Sequence, residues 1–234
     1  MADSDAVVMG LKPSETAYSV LLPNLAGFAK MQGAVEKSNA SISEIAVFLS
    51  ASEGFSQANL NCSVVQSLER ATEVMTVAKD AGFMVRAYVS NIIACPYDGP
   101  MSPSQVSEVV GEMLGRGAGQ VSLGDTIGVG TPKTVDALLS AMTEIAGPDQ
   151  LAGHFHDMGG RAIDNVEVAL KHGLRCFDSS VGGLGGCPYA PGARGHVATE
   201  ALVAALHHWG FETGIDEDRL AQAAAFAKGL RHGD

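Results

Sequence analysis

Residues 120–134 read QVSLGDTIGVGTPKT, and this stretch decides the fold class. Gln120–Leu123 is a short run suited to a strand, and Gly124–Gly130 is a polar, glycine-rich loop. Thr131-Pro132 then opens a helical pattern over Thr134–Ile145. Strand, loop and helix in this order form one βα unit, with the loop at the strand's carboxyl end.

The same unit recurs on both sides. Strand-like runs lie at Tyr18–Leu22, Glu44–Leu49, Met84–Ser90, Leu151–His156 and Leu174–Val181. Helical spacing places Val64, Leu68, Ala71, Met75 and Ala78 on one side of a helix that begins near an Asn61/Ser63 cap. Further helices are expected over Ser104–Leu114, Ile163–Leu170 and Thr199–Trp209. Polar or glycine-rich segments follow the strands at Pro23-Asn24, Ser50–Ser52, Asn91–Gly99, Asp157–Gly160 and Gly182–Gly195.

Repeated βα units imply parallel strands joined by right-handed crossovers. An open doubly wound sheet would concentrate its ligand loops at one switch point. Functional-looking loops after nearly every strand favour an α/β fold of the (β/α)8 TIM-barrel type. About six units are visible over residues 1–234, so the expectation is a single, partial barrel domain, with the missing strands before Met1 or supplied otherwise. An open parallel sheet would leave unpaired edges.

Composition narrows the function classes. The 234 residues suffice for one large domain, and the net charge of -11 argues against nucleic acid or an anionic membrane as partner. No apolar run is long enough to span a bilayer, no targeting peptide is visible, and a cytoplasmic protein is expected. Cys62, Cys95, Cys176 and Cys187 are widely spaced and contain no CxxC pair, so a disulfide framework is not expected.

Several residues are candidates for chemistry. His154 and His156, two apart on a strand, project to one face and can share a metal ion, with Asp157 and a Gly-Gly turn behind them. Alone, the pattern is weak and is more often two unrelated polar residues at a strand end; its place on the loop face of a parallel barrel makes the two readings about equal. Cys187, within Gly185-Gly186-Cys187-Pro188, lies on a glycine-rich loop where a thiol can act as acid or nucleophile. Cys176 reads as core, Cys62 is open, and Cys95 fits either a structural or an active-face role. Asp125 can orient substrate or a metal-bound water, or cap the following helix. Gly128-Val129-Gly130 lacks the third glycine and the spacing of a dinucleotide fingerprint. His207-His208 read as surface or packing residues.

Together, Leu21–Asn24, Asn59–Ser63, Val85–Ser90, Cys95–Gly99, Ser122–Pro132, His154–Asp157 and Ser180–Ala190 (SVGGLGGCPYA) resemble the hydroxymethylglutaryl-CoA lyase family over essentially the whole chain. The Gly-Leu-Gly-Gly-Cys-Pro-Tyr loop is the most specific of these segments; the His154–Asp157 and Gly124-Asp125-Thr126 segments are shared with related synthases.

The resemblance implies retro-Claisen cleavage of a 3-hydroxy-3-methylglutaryl thioester to acetyl-CoA and acetoacetate, with Mg²⁺ or Mn²⁺ holding the substrate oxygens. It implies His154 and His156 as metal ligands, His196 either as the third ligand or outside the metal shell, and Cys187 as the loop acid. Asn59, Tyr88, Ser122 and Asp125 would line the pocket of an acyl-CoA substrate. A homo-oligomer is the expected assembly. Two departures stand out. The family's Arg-Asp-Gly strand and a catalytic Glu on its second strand have no counterpart here, and His196 stands where the family has Asn. Imidazole in place of an amide oxygen favours softer divalent ions. Weak or no turnover is therefore expected of the chain as given. A lyase for a bulkier 3-hydroxy-3-alkylglutaryl-CoA and a non-catalytic CoA-binding paralogue are the alternatives.

Overall fold

The structure, a computed structural model, describes residues 3–12, 15–38, 40–185 and 195–230. After a short helix α1 (Ser4–Gly10), strand and helix alternate: β1 (Tyr18–Leu21), α2 (Leu25–Glu36), β2 (Ile42–Ser50), α3 (Glu53–Leu60), α4 (Val64–Asp80) and β3 (Met84–Ser90). A small hairpin of β4 (Ala94–Cys95) and β5 (Gly99–Pro100) precedes α5 (Pro103–Gly115) and β6 (Gln120–Asp125). Then come α6 (Pro132–Met142), β7 (Leu151–Phe155), α7 (Ala162–Lys171), β8 (Phe177–Asp178), α8 (Thr199–His208) and α9 (Glu217–Leu230).

The main sheet has six strands in the order β1-β2-β3-β6-β7-β8, and every pairing is parallel. Each strand therefore lies beside the one before it, as in a (β/α)8 barrel, but β1 and β8 do not meet. The result is an open, incomplete half-barrel. This agrees with the unit count from sequence.

Alternation along the strands explains the two faces of the sheet. One face carries Ile45, Val47, Leu49, Val85, Ala87, Val89, Val121, Leu123, Leu151 and Phe155, all buried and packed with residues of α4 to α7 in one continuous core. Each of the larger of these side chains contributes roughly 1.5–3 kcal/mol on full burial. The other face, between them, presents Arg86, Tyr88, Ser122, His154 and Asp178.

Side-chain caps start most of the helices. Asn24, Ser52, Ser63, Ser102 and Thr131 each accept a backbone N–H, and Ser63, Ser102 and Thr131 do so within capping boxes. Pro103 and Pro132 occupy the first helical position, where no N–H is needed.

The structure corrects three sequence expectations. Ser63 caps α4, whereas Asn61 ends the preceding α3 in the left-handed conformation with φ 51°. The strand expected over Leu174–Val181 pairs with β7 only at Phe177–Asp178. Leu174 instead closes α7 through a hydrogen bond to the Ala169 carbonyl, and Ser180 turns away to Val197. Cys176, expected in the core, consequently precedes the strand and is half-exposed. Helices α1, α2, α3 and α9 and the β4–β5 hairpin were not anticipated.

Among the described residues no helix is long and apolar enough to cross a membrane.

Candidate metal and substrate site

The carboxyl ends of β3, β6 and β7 surround a cavity of about 480 Å³ whose walls include Ser19, Leu21, Ala46, Phe48, Phe55, Asn59, Tyr88, Thr126 and three histidines. His154 comes from β7 and His156 from the residue just beyond it. The third is His196. The segment 195–198 lies against the end of β7: Val197 donates to the Phe155 carbonyl at 3.0 Å, and Asp157 donates to the Gly195 carbonyl at 3.2 Å. This pairing sets His196 opposite His156.

The ring centroids of His196 lie 4.6 Å from His154 and 4.5 Å from His156, and one nitrogen of each of the three falls within 4.8 Å of the others. Among the described residues this cluster contains three imidazoles and no carboxylate. The outward nitrogen of two rings is engaged: His154 Nδ1 with Asp178 Oδ2 at 3.0 Å, and His196 Nδ1 with the Leu184 carbonyl at 3.2 Å. His156 Nδ1 is fully buried and has no hydrogen-bond partner. A buried ring nitrogen without a partner, beside two converging imidazoles, suits a divalent cation, since metal ligands require the neutral imidazole.

Electrostatics points the same way. Burial, and then the neighbouring His196 and His154, push the His156 imidazole down to about 4, outweighing a weak interaction with the Thr126 backbone. Burial, followed by His154, also lowers His196. The metal-free protein should therefore lose stability in acid. The unfolded His156 gains a proton near its ordinary value of 6.5, whereas the folded one resists until about 4. Stability is complete above the first value and falls as pH drops toward the second. With chelator present, urea unfolding should show a loss of about 2 kcal/mol between pH 7 and pH 5. A flat profile over that interval would contradict the buried, neutral assignment.

The remaining sequence-derived candidates separate into two groups. Asn59, on α3, and Tyr88, on β3, line the cavity. Burial, and then the Asp178 charge, raise the Tyr88 hydroxyl to about 12, so it remains a hydrogen-bond donor. Ser122 and Asp125 lie elsewhere. Ser122 is fully buried and donates to Asp178 Oδ2 at 2.6 Å. Asp125, on the opposite face of β6, accepts from the Gly130 amide at 2.7 Å and the Val129 amide at 3.3 Å, bracing the loop ahead of α6. Burial raises its carboxyl despite these bonds. A Cβ at Gly130 would sit 2.7 Å from Asp125 Oδ2, which explains the glycine. Cys187 lies outside the described residues.

Cys95 is buried, with its Sγ 2.8 Å from the Ser52 hydroxyl and accepting from the Tyr97 amide at 3.2 Å, so its contacts are structural. Cys62 is also buried. His207 meets Glu217 and Thr213 away from the cavity.

Sequence reasoning missed Asp178 and Arg86. Burial alone would raise the Asp178 carboxyl, but His154, Arg86 and Ser122 together hold it below the ordinary value. A charged residue inside an apolar run beside the HxH strand was the available signal.

A parallel half-barrel with converging imidazoles at the carboxyl ends of its strands defines a metal-binding barrel protein, since this face is where barrel chemistry sits. Comparison narrows the class. The HMGL-like family model matches residues 9–227, and the chain belongs to that family. It is 45% identical to the hydroxymethylglutaryl-CoA lyase of Pseudomonas mevalonii, over 95% of this chain and 72% of the relative. The 3-hydroxy-3-isohexenylglutaryl-CoA/hydroxy-methylglutaryl-CoA lyase of Pseudomonas aeruginosa is also 45% identical, over 95% of this chain and 73% of its own. The crystal structure of the HMG-CoA lyase from Brucella melitensis superposes with a TM-score of 0.93 at 51% identity, covering 99% of this chain and 80% of that one.

Proposed function

We propose that this protein cleaves 3-hydroxy-3-methylglutaryl-CoA to acetyl-CoA and acetoacetate by a retro-Claisen reaction. The observation that carries this reading is the three-histidine cluster opening into the cavity, in a chain 45% identical to a named lyase of that substrate. His154, His156 and His196 would hold a divalent ion, Mg²⁺ or Mn²⁺, with the nitrogen-only donor set favouring Mn²⁺ of the two. When bound, the ion supplies Lewis acidity toward the substrate's hydroxyl and carboxylate oxygens.

Other groups of the chain shape the pocket and handle protons. Tyr88 remains protonated and donates a hydrogen bond from the cavity wall, and Asn59 offers an amide beside it. Phe48, Phe55 and Leu21 give the cavity an apolar wall. Cys187 returns a proton to the carbon released by bond cleavage, balancing the one the substrate's hydroxyl loses to solvent as its oxygen becomes the ketone of acetoacetate.

The test is acetyl-CoA and acetoacetate release by the Mn²⁺-loaded chain. Equimolar release that stops on chelation is the expected result, at a low rate because no carboxylate joins the described cluster. Bound Mn²⁺ without release would leave a non-catalytic CoA-binding role instead.

A second reading rests on the apolar wall of the cavity and on the Pseudomonas aeruginosa relative, whose name covers a longer 3-alkyl chain. Comparing kcat/KM for methyl and isohexenyl thioesters separates the two.

A further inference from the structure

The geometry assigns Asp178 the role of a positioning residue that fixes the tautomer of His154. This rests on the metal-site reading above. Asp178 sits at the carboxyl end of the sheet's last strand, in register with His154 on β7. Three side chains from three other strands converge on its carboxylate. Arg86 of β3 reaches Oδ1 from Nη2 at 2.8 Å, while Ser122 of β6 and His154 of β7 meet Oδ2 at 2.6 Å and 3.0 Å. Alternation puts all four residues on one face, and the register neighbour of Ser122 on β7 is Ala152, a single methyl group.

For the neutral imidazole that a metal ligand must be, the donors and acceptors leave one solution. An ionised carboxylate only accepts, and Arg86 only donates, so Arg86 occupies Oδ1. At Oδ2 the Ser122 hydroxyl donates, and His154 Nδ1 must donate as well. The proton of the neutral imidazole is therefore on Nδ1, and the lone pair is on Nε2, the nitrogen free to face the other two histidines. A carboxylate behind a metal-binding imidazole fixes ring orientation and raises ligand basicity. Arg86 and Ser122 hold that carboxylate in place, with the Arg86 side chain 11% exposed and that of Asp178 18%.

Asp178→Asn tests this without changing side-chain shape. Arg86 would draw the amide oxygen to its side, leaving the NH₂ to face His154. The NH₂ donates, so it would pair with an unprotonated Nδ1 and force the proton onto Nε2, blocking the ligand lone pair. In a catalytic triad, the equivalent acid-to-amide change likewise leaves geometry intact and imposes the wrong tautomer.

Long-range ¹H–¹⁵N spectra of the metal-free protein should show His154 with Nδ1 protonated and Nε2 unprotonated, and the reverse in Asp178→Asn. Mn²⁺ titration should show about a 10- to 100-fold loss of affinity in the variant. If Asp178→Asn does not fold, Ser122→Ala, which removes one donor at Oδ2, should still retain the Nδ1–H form. An Nε2–H imidazole in the unmodified protein, or an unchanged tautomer in Asp178→Asn, would overturn the assignment. If the tautomer flips as described but the unmodified protein binds no Mn²⁺, the positioning role stands and the metal reading fails.

Discussion

His154→Ala is expected to lower Mn²⁺ affinity by at least about 100-fold and to abolish measurable acetyl-CoA release. Loss of an outer-sphere partner alone costs 10- to 100-fold, so loss of a ligand lies at or beyond that range. The cluster has only three described ligand atoms and no carboxylate to compensate, so the remaining pair, His156 and His196, would hold an ion weakly. His154 is also the more informative of the two β7 histidines to remove. Its side chain is 19% exposed, whereas His156 is 5% exposed and its loss would leave an internal void. Circular dichroism should report an unchanged fold. The companion variant His196→Asn exchanges imidazole for an amide oxygen and should narrow the preference for Mn²⁺ over Mg²⁺. Titration with both ions measures both effects. His154→Ala binding Mn²⁺ within threefold of the unmodified chain would remove this histidine from the metal site.

Much of the architecture was legible because strand and helix periodicities differ and each loop carried turn residues. Met84–Ser90 came out with the observed bounds, and the helix opened by Thr131-Pro132 was found through that entry. Helix α3 was hidden. It is only 8 residues long and follows a strand directly, so its Ser52 cap looked like a loop serine. Strand β8 was overextended because Leu174 and Val181 are apolar for other reasons, one closing α7 and the other beginning the turn after the strand.

The site was legible where spacing alone sufficed. Residues two apart on a strand must share a face, which placed His154 beside His156. His196 is distant in sequence, and no local pattern brings it there; resemblance did, and two hydrogen bonds from its segment to the end of β7 are the physical cause. Ser122 and Asp125 show the limit of such matching. They sit three apart, on opposite faces of β6: Ser122 serves Asp178, and Asp125 serves the backbone of its own loop. Asp178 was missed because its role depends on register across four strands, which no single segment encodes.

The other large effect expected is on stability, and it falls on the residue between the two β7 histidines. Phe155 is 2% exposed and faces the helices while His154 and His156 face the cavity. Its ring and that of Phe177 both lie over Gly153, where an added Cβ would stand 2.8 Å and 2.9 Å from them. Phe155→Ala should cost about 3–5 kcal/mol in urea unfolding, from lost burial and the cavity left behind. Phe155→Leu keeps most of the volume and should cost less than about 1.5 kcal/mol. The Phe155 carbonyl also receives the Val197 amide, so the core anchors the segment that carries His196. Core and metal site should therefore be coupled. Mn²⁺ at about 100 times its Kd should return roughly 2.7 kcal/mol of the stability lost by Phe155→Ala, because the ion binds only the folded arrangement. The same addition should do nothing for Phe155→Ala/His154→Ala. Equal stabilisation of both variants by Mn²⁺ would show that the ion binds elsewhere.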